Sequence, residues 1–227
     1  LRLAPLRGLQ SETTDVLVVG SGIAGLSAAI AASSEGARVL LSSKRNRMDG
    51  ATSRAQGGIA AALAPGDTVE RHIADTLATG QGLSDPAVVR SVLTDGIGGV
   101  QELMRWGARF DRKGRRLAFG LEGGHSRPRI LHAGGDATGM ELARALLKRA
   151  RGLRRIRFRE HHFTLDLLQD VSGRVVGALQ AAPSGALSVV LARAVVLATG
   201  GAGQVFRETT NPEVATGDGI AMALRAG

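Results

Sequence analysis

Short apolar runs alternate with amphipathic stretches along this chain, the pattern of strands linked through helices. Asp15 to Val19 is apolar after its first residue, as a buried parallel strand is, and Gly20-Ser-Gly-Ile-Ala-Gly25 follows at once. Ile23, Leu26 and Ile30 then recur at helical spacing, so the next segment is expected to be a helix packed on a sheet, and Ala37 to Ser42 returns as a second strand. From Ala51 to Leu63 the residues are small and suited to lying close against a ligand. Two helices are expected next. One spans Val69 to Thr79; the other is opened by Asp85-Pro86, with Val89, Leu93, Val100, Leu103 and Met104 on its buried side and Gly96, Gly98 and Gly99 weakening its middle.

Thr138-Gly-Met-Glu141 has the form of a capping box for a helix through Arg149, with Ala143, Leu146, Leu147 and Ala150 facing inward. Strands are expected at 156–158, 163–168, 174–180, 187–191 and 194–198, with hairpin turns at Asp170–Gly173 and Pro183–Gly185. The fold class is α/β, a Rossmann-like fold in which a small β-meander is laid on a parallel sheet. Residues 1 to 14 lack periodicity and read as a loose arm before a domain that runs from 15 to 227. There is no internal repeat.

Composition narrows the chemistry. Cysteine is absent, which excludes disulfides, thiolate metal sites and Cys nucleophiles. Aromatics make up only 3%, too few for base stacking on nucleic acid. The net charge of +9, with all but three of the 29 basic residues arginine, raises the question of an anionic partner. The densest cluster, Arg144 to Arg159, nevertheless follows helical and then strand spacing, as a solvated face does. The chain starts Leu-Arg-Leu-Ala-Pro, without an initiator Met, a signal-type core or a run of 18 apolar residues. It is expected to be soluble and cytoplasmic, without membrane or nucleic-acid partners.

Gly20, Gly22 and Gly25 have GxGxxG spacing between a strand and a helix, the context in which that spacing signals a dinucleotide. The first glycine permits the turn, the second lets backbone approach a pyrophosphate, and the third allows close helix packing. Ser21, Ile23 and Ala24 complete the loop at the helix N-terminus, which favours phosphate. Where a Rossmann site usually offers an acid to ribose, this chain reads Ser42-Ser43-Lys44, which counts against ordinary NAD binding. Lys44 could lie near the adenosine or phosphate part of the ligand, and Ser43 is a candidate cofactor contact beside it; Ser42 and Lys44 are alternatively surface residues at a strand end.

Thr52-Ser53-Arg54-Ala55-Gln56-Gly57-Gly58 resembles the flavin-contacting stretch of the succinate dehydrogenase and fumarate reductase flavoprotein superfamily. Respiratory members carry FAD on a histidine at the position of Ala51, which has no nucleophile, so the resemblance implies non-covalent FAD. Leu121-Glu-Gly-Gly-His-Ser-Arg127, Arg129-Ile-Leu-His-Ala133 and Gly135-Asp-Ala-Thr-Gly139 resemble the aspartate oxidase branch, in which a carboxylate at Glu122 suits the α-ammonium of aspartate. Glu122 alternatively caps its loop or pairs with Arg127. His125, Ser126 and His132 are candidate substrate-side loop residues; the two histidines lack partners at metal-ligand spacing, so no metal is expected. Ala194-Val-Val-Leu-Ala-Thr199-Gly200-Gly201, Thr209–Pro212 and Thr216–Gly227 extend the likeness. It implies FAD contacts at Thr199 and Gly200, at Asp218 on the ribitol side, and at Phe163 and Thr164 over the adenine. Asp218 is alternatively only a helix N-cap, and Phe163 and Thr164 only strand residues.

The resemblance implies oxidation of L-aspartate to iminoaspartate, with oxygen or fumarate as acceptor, as the first step of quinolinate and NAD synthesis, with quinolinate synthase as a pathway partner. It also implies that the capping domain and the catalytic acid or base lie beyond Gly227, so that this first segment of an FAD-binding domain is inactive alone. A soluble fumarate reductase and a non-catalytic FAD-binding fragment are the alternatives.

Overall fold

The apolar run after Asp15 forms the middle of a six-stranded, mostly parallel sheet, seen in a computed structural model that describes residues 9–227. Its strands are β1 (Gln10–Val19), β2 (Val39–Ser42), β7 (Ile156–Arg159), β8 (Phe163–Gln169), β9 (Val175–Ala181) and β10 (Leu187–Leu197), in the order β7-β2-β1-β10-β9-β8. The four strands from β7 to β10 in that order run parallel, whereas β9 and β8 continue the sheet antiparallel. Helix α1 (Ile23–Ser34) packs on β1 and β2 through Leu26, Ala29 and Ile30. Leu17, Val19, Leu40, Ala178, Val190 and Ala192 form one core cluster of this sheet, and Leu168, Leu179 and Val189 another.

Two expectations fail here for one reason. The strands expected at 187–191 and 194–198 are the single strand β10, because Ala192-Arg193 contains no turn residue and leaves the strand unbroken. The meander is therefore part of the sheet rather than laid on it. The same long strand lengthens its neighbour: Gln10 to Thr14, expected in the loose arm, pair with Ser188 to Ala192. Their polar side chains gave no strand signal, and the ladder is supplied by β10; Glu12 also meets Arg157 and Arg159 of β7. The remainder of the arm, residues 1–8, lies outside the described residues. Where β9 crosses β10, Gly177 has φ +156 and a Cβ would strike the Val190 carbonyl, so close strand approach requires glycine.

The stretch expected as one domain from 15 to 227 is built of two compact units, one holding the sheet and the other spanning Arg54–Ala145. The second unit contains the antiparallel pair β3 (Ile59–Ala60) and β6 (Ile130–Leu131), the small pair β4 (Arg112–Lys113) and β5 (Arg116–Leu117), and helices α3 (Val69–Thr79) and α4 (Pro86–Arg105) packed on each other. Asp85 caps α4 by accepting from Ala87 and Val88 N–H groups, and the helix continues through its three glycines. Helix α5 (Thr138–Arg151) begins in this unit, but its capping box is not formed. Thr138 Oγ1 accepts from Ala133 N–H, while Glu141 is engaged by Arg109 N–H and the Arg144 guanidinium. Among the described residues no helix is long and apolar enough to cross a membrane.

The second unit buries a charged cluster. Arg129 is fully buried and donates to both oxygens of Asp67, each at 2.9 Å, and to Asp75 at 2.6 Å. Removing a charge from water is costly unless it is paired and hydrogen-bonded, and this fork places three N–H donors on two carboxylates. Burial raises the Asp67 pKa, but the Arg129 hydrogen bonds and the Thr68 N–H outweigh it and hold the carboxyl below its ordinary value. Asp75 is lowered to about 2, first by the Ser126 backbone N–H and further by the Ser126 hydroxyl and Arg129.

A depressed carboxyl contributes stability that is complete above its unfolded pKa, near 3.8, and is lost as pH falls toward its folded value. Thermal melting should therefore be level above about pH 4 and decline steeply toward pH 2. Asp75→Asn should flatten part of that decline. An identical pH slope in the mutant would show that the cluster does not carry it.

Candidate functional site

The three glycines of the first turn do different work in the structure. Gly20 adopts φ +112, and a Cβ there would run into the Ala198 carbonyl; a Cβ on Gly25 would run into the Gly20 carbonyl. These two let β1, β10 and α1 approach one another. Gly22, the N-cap of α1, has ordinary extended backbone (φ −72, ψ −173), and a Cβ would meet only Thr52 Oγ1 at 3.2 Å. The missing side chain would thus meet one hydroxyl and no backbone, and the glycine itself borders the space beyond the turn.

That space is a cavity of about 580 Å³ at the carboxyl ends of β1, β2 and β10, where ligands bind in sheets of this kind. Gly20, Ser21, Gly22, Ile23, Ala24, Ser43, Lys44, Ala51, Thr52, Phe163, Thr164, Thr199, Gly200 and Asp218 all line it. Ile23, expected to pack inward, is partly exposed and faces the cavity instead. Gly25 and Ser53 do not line it: Gly25 packs under the turn, and the Ser53 hydroxyl donates to the Met48 and Gly50 carbonyls.

Helix α6 (Asp218–Ala226) also begins at this cavity. Its N-cap is Gly217, so Asp218 is the first helical residue rather than a cap. Neither α1 nor α6 has a side-chain cap bond from its N-cap glycine, although Thr52 Oγ1 accepts from Ile23 N–H at 3.0 Å. Two helix N-termini, with their positive dipole ends, thus border the same space. Lys44 is not a loose surface residue. It donates to Asp218 and to Thr216 Oγ1, both at 2.5 Å, and lies 5.8 Å from the Phe163 ring centroid. The cluster neutralises Lys44 while joining the end of β2 to the start of α6.

Sequence reasoning missed Thr216 as the third member of this cluster. It also missed Gly219, where a Cβ would strike the Thr199 side chain. The Gly217-Asp-Gly219 spacing was the available signal for both. Ser42, the other candidate for a surface residue at the strand end, is instead fully buried, and its hydroxyl has no hydrogen-bond partner among the described residues. The residues fit an FAD: a glycine turn, two helix N-termini for pyrophosphate, an orphaned hydroxyl and a cavity lined by Phe163.

The remaining candidates belong to the second unit. Arg54 to Gly58 lead from α2 (Ala51–Arg54) into β3, and Ala55 carbonyl accepts from Gly139 N–H. The β3–β6 register, Ile59 opposite Leu131, brings Gly58 next to His132, and a Cβ on Gly58 would press on Ile130, Leu131 and His132. Glu122 is more than half exposed and pairs with His132, Nε2 to Oε1 at 3.4 Å, rather than with Arg127. The Glu122 carbonyl accepts from His125 N–H, closing a turn. Ser126 donates its N–H and hydroxyl to Asp75.

Residues 15–227 match the family described as FAD binding domain. The chain is 53% identical over 220 residues to an L-aspartate oxidase of Streptomyces coelicolor, covering 94% of this chain and 37% of that protein. It is 48% identical over 219 residues to one of Mycobacterium tuberculosis, covering 95% and 41%. The solved E. coli quinol fumarate reductase FrdA superposes with a TM-score of 0.91 at 36% identity, covering 96% of this chain and 37% of that one. The chain thus spans about two fifths of the length of the curated relatives it matches. With its glycine turn at a parallel strand end and its match from residue 15 to 227, the chain belongs to the FAD binding domain family of flavoproteins.

Proposed function

We propose that this chain forms the FAD-binding part of an L-aspartate oxidase, which converts L-aspartate to iminoaspartate with oxygen or fumarate as electron acceptor. The observation that carries the reading is the glycine turn Gly20 to Gly22, which lines a cavity that two helix N-termini border. The names of the similar proteins supply the reaction, and the same reading makes it the first step of quinolinate and NAD synthesis in the cytoplasm, with quinolinate synthase next in sequence. FAD, when bound, supplies the two-electron acceptor for the hydrogen leaving the substrate α-carbon.

The chain's own residues bind and orient. The Gly20 to Gly25 turn and the N-terminus of α1 receive the pyrophosphate; Ser42, Ser43, Phe163 and Thr164 border the adenosine half; Thr199, Gly200 and Asp218 border the ribitol half. Ala51 offers no nucleophile, so the flavin is held non-covalently. By the resemblance alone, Arg54 to Gly58 pass beside the flavin ring. The Glu122 carboxylate meets the substrate ammonium, an ion pair that fumarate and succinate do not offer. No residue of this chain is assigned as catalytic acid or base. A fumarate reductase is the second reading, favoured by the structural likeness to the E. coli enzyme.

Because the backbone at Gly22 is ordinary and its nearest neighbour lies at 3.2 Å, Gly22→Val should fold yet lose most bound flavin. Circular dichroism and flavin absorbance of the purified protein check this. Full flavin content in the mutant would remove the loop from the site.

Acid or heat denaturation should release the flavin into the supernatant. Yellow colour that sediments with the polypeptide would refute non-covalent binding.

Glu122→Gln in the full-length protein should lower kcat/KM for L-aspartate roughly ten- to a hundredfold relative to fumarate reduction, since a charge-assisted bond contributes about 1.5–3 kcal/mol. Equal losses on both substrates would return Glu122 to a structural role.

A further inference from the structure

We infer that one face of α3 is a positioning platform for the Glu122 turn, with Asp75 as its principal residue. The inference rests on the reading that Glu122 meets the substrate ammonium. Glu122-Gly-Gly-His125 is closed by the His125 N–H to Glu122 carbonyl bond at 3.2 Å, with Gly124 at φ +82 in its third position. Such a turn requires a residue that tolerates a left-handed backbone. Freely hinged, a turn with two central glycines would let the Glu122 side chain wander.

It is not free. Three successive residues of the turn and its exit seat on α3. A Cβ on Gly124 would lie 2.7 Å from Thr79 Oγ1, so the backbone rests directly on that side chain. The His125 ring stands edge-on to His72 with centroids 5.7 Å apart. Ser126 donates its N–H and its hydroxyl to Asp75 Oδ2, both at 2.8 Å. His72, Asp75 and Thr79 are spaced by three and four residues, which puts them on one face of a helix. Arg129, just downstream, fastens the exit strand to Asp75 at 2.6 Å and to Asp67 before the helix. The other end of the turn is fixed as well, by Gly120 N–H on the Ile130 carbonyl at 2.8 Å.

The turn is thus anchored on both sides of Glu122, and its carboxylate is left beside His132, whose ring fits where Gly58 and Gly120 have no side chains. A carboxylate held in place before substrate arrives loses less freedom on binding, and that gain goes to the ligand carrying the matching ammonium. Asp75 acts on the substrate through Ser126 and Glu122, without touching it.

The test uses the full-length protein with Asp75→Ala and, as the milder variant that leaves Arg129 its partners, Ser126→Ala. Both should lower kcat/KM for L-aspartate, about three- to tenfold for Ser126→Ala, chiefly through KM, with fumarate reduction changed less than twofold. Amide exchange at Gly123 to Ser126 should rise while that of β1 and β10 stays level. In a Glu122→Gln background the further loss should vanish, and Ser126→Thr should restore aspartate turnover. Equal losses on the two substrates, losses that add to those of Glu122→Gln, or unchanged exchange in the turn would each overturn the platform. A Glu122→Gln variant with an unaltered substrate ratio would instead defeat the reading beneath it.

Discussion

Backbone is packed against backbone where β1 ends, and the cofactor site depends on that contact. Ala198 N–H donates to Val19 carbonyl at 2.8 Å, and Gly20 N–H to Ser42 carbonyl at 2.8 Å, so the chain leaving β1 is held between its two neighbouring strands. Only a residue without Cβ fits there, and the helix that follows seats on the same spot through Gly25. From this knot the loops after β1, β2 and β10 diverge, and their divergence opens the cavity. Thr52 and the Lys44–Thr216–Asp218 cluster tie its rim together. A side chain at Gly20 would collide with the backbone of Ala198, whereas one at Gly22 would meet only the Thr52 hydroxyl.

The second unit is held together differently. It has only two-residue strands, and its order comes from α3 against α4 and from a buried arginine shared by two carboxylates. Such a cluster fixes geometry more than it adds net stability, because desolvating three charges consumes much of what their attraction returns. The cluster stands directly behind the Glu122–His125 turn, which it meets through Ser126 on Asp75.

The sheet side of the molecule was largely legible in the sequence. Val16 to Val19, the glycine turn and the spacing of Leu26 and Ile30 each state their structure locally, and most residues assigned to the cofactor line one cavity. The failures share a cause. Gln10 to Thr14 are strand only because β10 pairs with them, the Thr138–Glu141 box is undone by Arg109 and Arg144, and Lys44 finds Thr216 and Asp218 from far along the chain. Each depends on partners remote in sequence, which no local pattern encodes. The platform on α3 was hidden for a related reason. His72, Asp75 and Thr79 look like ordinary polar positions until the Gly124 to Ser126 backbone is laid across them.

The unbroken strand β10 also constrains how this chain can diverge. Leu187 to Leu191 are laddered to β9, and Ser188 to Ala192 with Ala194 to Leu197 to β1, in registers that share Ser188 to Leu191. A single inserted or deleted residue anywhere from Leu187 to Leu197 would turn every later side chain to the opposite face and shift Thr199 and Gly200 off the cavity. The turns at Asp170–Gly173 and Pro183–Gly185 carry no such burden. Length variation among descendants of this sequence should therefore collect in those two turns, while the eleven residues of β10 keep their number even as their identities drift.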